Sequence, residues 1–336
     1  MAGDLLITGV GVLVEPEIDS RLESRLTANQ ARRLDRLSQI IVAVALGACE
    51  QAGVGLPAAE TAGASTGATA GGAPGLRVGI VVGTGLGCLE RTDSYLDGIV
   101  RRGVEHADAL TFPDAIDNAP AAQASIALGC RAPSLTVLQR EISGECAVIL
   151  AALMLRRGLA DVVIAAAGET RSPRHRAAMR QLRPAHPVPG EGAAALVLES
   201  AEGARRRGAR PLGRLIGFAQ VAEPTLTPGW RTNLRRASPA TVDRAAEAAL
   251  AMSGVAAAVR REIAVIPARA EDDAAGWIMG DGILRCATAL ELLGCGGHSA
   301  AMVAAAARGG MAAALVLAPA HIQAPAHIQA PAGGAA

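Results

Sequence analysis

Short apolar, β-branched runs alternate along this chain with longer segments whose apolar residues recur at helical spacing. The runs predict strands at residues 5–14, 77–83, 134–138, 161–167, 193–199, 212–221, 262–266 and 311–317. The helical segments are residues 29–53, 88–102, 118–128, 239–260, 281–293 and 298–307, and a further helix follows the strand at 134–138. Strands that alternate with helices over the whole length predict an α/β fold with a buried, mainly parallel sheet.

The predicted strands form two series that separate near residues 200–211. This spacing predicts two similar halves, an N-terminal half at residues 1–200 and a C-terminal half at residues 201–318. Residues 57–74 consist almost entirely of Ala, Gly, Thr and Ser, which predicts a flexible surface loop. Residues 319–336 contain the hexapeptide AHIQAP twice, and two such short repeats predict a disordered tail rather than a solenoid.

Composition excludes several classes of function. Hydrophobic residues make up 51% of the 336 residues, yet no stretch of about 18 strongly apolar residues occurs, so we expect no membrane span. The net charge of +1 gives no sign of nucleic-acid binding. The first residues lack the basic region and cleavage site of a signal peptide, so we expect a cytoplasmic protein. The six cysteines form no CxxC pair, and we expect reduced thiols, no metal and no cofactor.

Residues 136–158 carry the strongest indication of a site. They predict an apolar strand, a tight turn and a helix, an elbow that in many enzymes presents a nucleophile at the helix start. Here Glu141 stands at that point, so the thiol or hydroxyl that such an elbow usually presents is absent. Cys146 lies five residues further on, about a turn and a half into the helix, and we expect it in the core.

Several motifs occur in the order known from one family. They are ITGVGVL from residue 7, RVGIVVGTGLG from 77, the segment from 112 to 134, the elbow, DVVIAAAGET from 161, GEGAAALVLE from 190 and RGGMAAALVL from 308. On these motifs the chain resembles the β-ketoacyl synthases of the thiolase fold over most of residues 3–318. The resemblance implies an αβαβα five-layered sandwich of two similar halves, which dimerises through a central strand, here the one at 134–138.

The family condenses an acyl group held on an elbow cysteine with a carrier-bound malonyl group. Its elbow resembles TACSSG or TACASG, whereas this chain has QREISG. Aligning Ser143 and Gly144 with that elbow places Glu141 at the position of the catalytic cysteine, and all three are candidate site residues. Chain-length factors, the inactive partners in type II polyketide systems, have glutamine there. A glutamate that only caps the helix and a glutamate with a chemical role both remain open.

The family also uses two histidines. The first belongs to an HGTGT-like segment, but residues 267–276 of this chain are PARAEDDAAG. The second opens a late helix in a Gly-His pair, which His298 matches, so His298 is a candidate for that role. The sequence around His298 also resembles the family's terminal glycine-rich loop, although Gly309 and Gly310 match that loop better and are candidate binding residues.

The resemblance and these substitutions together predict a non-condensing, chain-length-factor-like subunit. It is expected to pair with an active ketosynthase as a heterodimer, or with itself, and to meet an acyl carrier protein in polyketide or fatty-acid-like biosynthesis. One alternative is an enzyme with altered thioester chemistry in which Glu141 and His298 act as an acid–base pair. Another is a module that only binds acyl chains or carrier protein.

Overall fold

In the described part of the chain, nine strands form a single mixed sheet. The computed structural model describes residues 5–56, 75–182, 190–223, 237–255, 262–266 and 281–320. The strands are β1 (Leu5–Val14), β2 (Val78–Gly83), β3 (Ser134–Val137), β4 (Val162–Glu169), β5 (Gly192–Ser200), β6 (Gly213–Ala222), β7 (Ile263–Ile266), β8 (Ala300–Ala307) and β9 (Met311–Pro319). Their order in the sheet is β3-β2-β4-β5-β1-β6-β9-β8-β7.

Ten α-helices accompany these strands in the described part of the chain. They are α1 (Ile18–Arg25), α2 (Ala28–Arg33), α3 (Arg36–Ala52), α4 (Leu89–Arg102), α5 (Ala119–Leu128), α6 (Ser143–Arg156), α7 (Pro173–Leu182), α8 (Ala201–Arg207), α9 (Pro239–Ser253) and α10 (Gly282–Gly294). No helix in these ranges is both long enough and apolar enough to cross a bilayer.

The two series of strands have the same topology. In the first series β1 is antiparallel to β5, β5 is antiparallel to β4, and β4 is parallel to β2. In the second series β6, β9, β8 and β7 repeat this pattern in the same order. The two series are joined where three residues of β1, Leu5–Ile7, pair with Gly213–Leu215 of β6. The prediction of two similar halves therefore agrees with the strand connections.

The expectation of a mainly parallel sheet is wrong. Only the β2–β3, β2–β4 and β7–β8 pairings are parallel, while the other five described pairings are antiparallel. A strand that is buried on both faces has the same apolar run in either orientation, so the sequence pattern did not distinguish them. The turn at residues 308–310 is too short for a crossover and makes β8 and β9 antiparallel.

Among the described residues, three apolar cores lie between five layers of helices and strands. The first core packs α1, α3 and α5 against one face of the N-terminal strands. The central core encloses α6 and α10 between the other face of those strands and the inner face of the C-terminal strands. The third core packs α9 on the outer face of β6, β8 and β9. The elbow helix α6 thus lies in the middle layer, between the two halves.

Two helix predictions are corrected by the structure. The helix expected over residues 29–53 is two helices, because Asp35 accepts a hydrogen bond from the Ser38 N–H and caps a new helix, α3. The helix expected over residues 298–307 is strand β8. Its alanines favour a helix in isolation, but alternate residues of β8 face the central core and the α9 core. The short helices α1, α7 and α8 were not predicted.

Some predictions fall on residues that the structure does not describe. The low-complexity loop at residues 57–74, the segment at residues 267–276 that replaces the family's first histidine motif, and residues 321–336 of the predicted tail all lie outside the described ranges. The last strand, β9, continues to Pro319, one residue into that predicted tail.

Candidate functional site

The predicted elbow is present between β3 and α6. A single 3₁₀ turn, Arg140–Ile142, connects the strand to the helix. Arg140 has a φ of 54°, and no other described residue apart from glycines has a positive φ. That left-handed conformation is strained for a residue with a side chain, and such strain is common at functional sites. The strained residue directly precedes Glu141, so its backbone conformation sets the orientation of Glu141 within the turn.

Hydrogen bonds of the Ser143 hydroxyl stabilise the elbow. Its hydroxyl accepts from the Gln139 N–H at 2.9 Å and has the carbonyl oxygens of Arg140 and Thr84 within 2.7 and 2.9 Å. The end of β2 also lies against this point, because a Cβ added at Gly83 would be 2.3 Å from the Ser143 carbonyl oxygen. Ser143 is fully buried, and its hydroxyl connects Gln139, Arg140 and the end of β2 through hydrogen bonds, which holds the turn in place.

Glu141 is buried at the start of the elbow helix, with only 7% of its surface exposed. Its Oε2 accepts a hydrogen bond from the backbone N–H of Arg308 at 3.1 Å. Its Oε1 lies 3.5 Å from Nε of the same arginine. The carboxylate is therefore held by one residue of the C-terminal half, through both its main chain and its side chain.

The glycine-rich loop predicted at Gly309 and Gly310 is the turn between β8 and β9. Both glycines have positive φ, 96° and 76°, a conformation that favours residues without a side chain. The turn places Arg308 opposite the elbow. Glu141, Ser143 and Gly144 thus lie together in the elbow, and Gly309 and Gly310 directly follow the arginine that contacts Glu141. Their roles in binding a substrate remain predictions.

His298 lies elsewhere. It precedes β8, at the end of the strand opposite to Arg308, and an eight-residue strand spans roughly 23 Å. Its Nδ1 lies 3.3 Å from the carbonyl oxygen of Glu262, and the residue is exposed. An acid–base pair of Glu141 and His298 needs side chains that meet within a few ångströms. The structure separates them, so the acid–base alternative is wrong.

The first turn of α6 carries a second carboxylate, Glu145, that sequence analysis missed. Glu145 follows Glu141 by one helical turn and is completely buried. It pairs with Arg285 of α10, whose Nε also bonds Asp281 at 2.9 Å. Burial raises the pKa of the Glu145 carboxyl, an effect that the nearby Arg285 opposes. An i,i+4 pair such as Asp281 and Arg285 usually marks an exposed helix face, so the sequence pattern did not indicate this buried triad.

Glu169 is the third buried carboxyl near the elbow. At the end of β4, its Oε1 accepts hydrogen bonds from the Thr84 hydroxyl at 3.1 Å and from the Gly85 N–H. Burial raises the pKa of Glu169 to about 8, although these hydrogen bonds act in the opposite direction. Because the carbonyl oxygen of Thr84 also accepts a hydrogen bond from Ser143, Glu169 anchors the loop that supports the elbow.

No thiol is available at this site. Cys146 is buried in the central core, as predicted, and burial raises the pKa of its thiol to about 12. Such a thiol carries almost no thiolate at neutral pH and is a poor nucleophile. Within the described ranges, no three His, Cys, Asp or Glu side chains converge as metal ligands. The functional group at this site is therefore the carboxylate of Glu141, which contacts Arg308.

Comparisons with known proteins agree with the fold. The profile of the β-ketoacyl synthase N-terminal domain matches residues 16–204, more than half of the chain. Nodulation protein E of Rhizobium meliloti (strain 1021) is 29% identical over 240 residues, which cover 66% of this chain and 56% of that protein. The 3-oxoacyl-(acyl-carrier-protein) synthase 2 of Vibrio cholerae is 25% identical over 221 residues, covering 60% of this chain and 50% of that protein. The chain spans about half the length of these curated relatives.

Solved structures of the same fold cover nearly the whole chain. A type II polyketide synthase acyl-carrier protein in complex with its ketosynthase bound to the hexaketide matches with a TM-score of 0.70 and 13% identity, over 95% of this chain and 100% of that chain. The ishigamide ketosynthase/chain length factor matches with a TM-score of 0.69 and 19% identity, over 94% of this chain and 99% of that chain. Together with the profile match, the shared thiolase-like architecture shows that this chain belongs to the β-ketoacyl synthase family.

Proposed function

We propose that this protein is a non-condensing, chain-length-factor-like subunit of the β-ketoacyl synthase family. It pairs with an active ketosynthase in type II polyketide or fatty-acid-like biosynthesis and shapes the tunnel for the growing acyl chain. The observation that carries this proposal is Glu141, a carboxylate at the elbow that is held by Arg308.

The chemistry of a carboxylate supports a non-condensing role. Condensation begins when a nucleophile takes the acyl group from a thioester and holds it as another thioester. A carboxylate that attacked the same thioester would form a mixed anhydride, which is less stable than the thioester that it consumes. An ionised Glu141 would also repel the carboxylate of a malonyl group. The elbow therefore has the backbone shape of a condensing site but lacks a nucleophile that can hold an acyl group as a thioester.

The free edge of the sheet supports pairing with another subunit. Strand β3 is bonded to β2 on one side, and no other described strand pairs with its second side. Leu135 and Leu138 are exposed on or beside this strand. Helix α5 packs against β3 and carries Ile126, which is 79% exposed, and Phe112 lies exposed in the turn that contacts α5. A bare strand edge flanked by apolar side chains suits continuation of the sheet into a partner.

Two of the structures reported above favour this choice of partners. One contains a ketosynthase with its acyl-carrier protein, and another is a ketosynthase/chain length factor. Those descriptions concern those proteins, and they support an analogous pairing for this chain.

A loading experiment tests the non-condensing role. The purified protein is incubated alone with acyl- and malonyl-loaded carrier proteins, and covalent adducts and products are measured by mass spectrometry. We expect neither an acyl adduct nor a condensed product. A condensed product that disappears in the Glu141→Ala variant would overturn the proposal.

The edge of the sheet provides a test of the partner. Leu135→Asp places a charge on β3 and is expected to reduce recovery of a ketosynthase partner at least tenfold in co-purification, because it buries an unpaired carboxylate at the interface. Met252→Asp on α9 is the matched control, since Met252 is similarly exposed but lies in the outer layer of the other half. Carrier-protein binding without any ketosynthase partner would instead indicate a binding module.

A further inference from the structure

A cavity of about 300 Å³ lies between α2, α3 and α4. Its wall is formed by the end of α2, the first residues of α3, the first turns of α4 and Thr170, which follows β4. None of the residues that line it belongs to the elbow. Its volume is at the lower end of the range of about 300–1,000 Å³ that is typical of small-molecule sites.

Two arginines in the wall carry positive charges that no carboxylate neutralises at contact distance. Arg32 of α2 donates from Nε to the carbonyl oxygen of Ala28 at 3.2 Å, and it forms no ion pair with a described carboxylate. Arg91 of α4 likewise forms no ion pair in the described part of the chain. Burial raises the pKa of the Asp35 carboxyl, and Arg91 opposes this effect only from beyond ion-pair distance.

The other charged side chains of the wall are engaged elsewhere or exposed. Arg36 pairs with Asp19 at 2.7 Å and with Glu191 at 2.9 Å, so its charge is already matched. The carboxylate of Asp35 caps α3, and Glu90 is exposed. The unmatched positive charge at the cavity is therefore that of Arg32 and Arg91.

The start of α4 is a second feature that favours an anion. This helix has 14 residues, and no described side chain caps its N-terminus at Cys88. Cys88 lines the cavity, so the positive end of the helix dipole lies at the cavity wall. Ser94 and Thr170 add hydroxyl groups to the same wall. A phosphate group has oxygens that can accept from all of these donors, which belong to different elements of the fold.

We propose that this cavity binds the phosphate group of a small phosphate ester, with Arg32 and Arg91 as its charged contacts. The volume of the cavity leaves room for a short organic part, and the mainly polar side chains of the wall suit one that is hydrophilic. The site goes beyond the proposed function, because it requires neither Glu141 nor a partner subunit.

Titration with glycerol phosphate tests the site. Binding to the wild-type protein is measured by calorimetry and by phosphorus NMR, at constant ionic strength maintained with chloride. We expect saturable binding with a dissociation constant of about 0.1–10 mM, as befits a ligand of this size. Inorganic phosphate should bind no more tightly, and the neutral analogue glycerol should not bind. Absence of saturable binding of the ester would overturn the inference, and tighter binding of inorganic phosphate would overturn the assignment of an ester.

Matched arginine variants separate the cavity from a general effect of charge. Arg32→Gln and Arg91→Gln should each weaken binding about tenfold, because each removes a charge-assisted contact. Arg33→Gln is the control, since Arg33 is exposed on the same helix and forms no described ion pair but does not line the cavity. An equal loss of affinity in Arg33→Gln and Arg32→Gln would contradict a site in this cavity.

Thr170 provides a second, independent pair of variants. Thr170→Asp places a carboxylate in the wall and should weaken binding at least about tenfold through repulsion of the phosphate, whereas Thr170→Asn, of similar size but neutral, should change it less than about threefold. Equal affinities of these two variants would overturn the inference. All of these measurements use the chain alone, so they can fail while the pairing with a ketosynthase holds, and the reverse is also possible.

Discussion

Replacing Glu169 by glutamine should change the pH dependence of this protein's stability. The Glu169 side chain is 1% exposed, and burial raises its pKa to about 8. Its Oε1 is hydrogen-bonded, but its Oε2 has no hydrogen-bond partner in the described part of the structure. The ionised form is therefore poorly solvated in the folded protein, whereas in the unfolded chain water solvates it fully.

The direction of the effect follows from the two pKa values. The folded pKa of about 8 lies above the unfolded value, so the folded protein binds the proton more tightly. The stabilising contribution of this proton is fully present below the unfolded pKa of about 4.3, and it is lost as the pH rises through 8. At about 1.4 kcal/mol per pKa unit, the loss between about pH 5 and pH 9 amounts to roughly 3–4 kcal/mol.

Denaturant unfolding at several pH values between these limits measures this loss. Glutamine cannot ionise, so the free energy of unfolding of Glu169→Gln should gain roughly 3–4 kcal/mol relative to the wild type between about pH 5 and pH 9. The control is Glu199→Gln. Glu199 is also fully buried but is paired with Arg207, so this variant should be destabilised because a partly buried guanidinium loses its carboxylate. Parallel curves for the wild type and Glu169→Gln would refute the reasoning.

The other predictions concern the buried ion pairs of the middle layer and the packing of β2 against the elbow. Arg285→Met should lower the free energy of unfolding by about 3–5 kcal/mol, because it leaves buried carboxylates unpaired, and adding Glu145→Gln should recover part of that loss in urea titrations. If the double variant is no more stable than Arg285→Met, the pairing is not what stabilises this layer. Gly83→Ala should destabilise the elbow by about 1–3 kcal/mol, since its Cβ would meet the Ser143 carbonyl oxygen, whereas Gly294→Ala, which faces open space, should be neutral within about 0.5 kcal/mol in thermal unfolding.

Local sequence patterns predicted the elbow well because its determinants are local. The strand, the turn and the helix are consecutive, and an apolar run followed by Ser143 and Gly144 is enough to place Glu141 at the helix start. The repeated strand pattern likewise indicated two halves. These features depend on period and turn chemistry, which a sequence shows directly.

The partners of the site could not be predicted because they are distant in the chain. Arg308 lies 167 residues from Glu141, and Arg285 lies 140 residues from Glu145. Arg308 begins the motif RGGMAAALVL, but the motif does not show that its side chain faces Glu141, and nothing in the sequence distinguishes Arg285 from the many exposed arginines. His298 was assigned to a helix start because an alanine-rich segment follows it. Sheet pairing on both sides made that segment strand β8 and removed His298 from the site.

The most direct test of a non-condensing subunit is product analysis of a reconstituted pair. An intact ketosynthase partner is assayed with acyl- and malonyl-loaded carrier proteins in the presence of this protein, either wild type or Glu141→Ala, and each subunit is also assayed alone. We predict condensed product only when the intact ketosynthase is present, and product formation that survives Glu141→Ala. Condensed product from this protein alone, abolished by Glu141→Ala, would contradict the account.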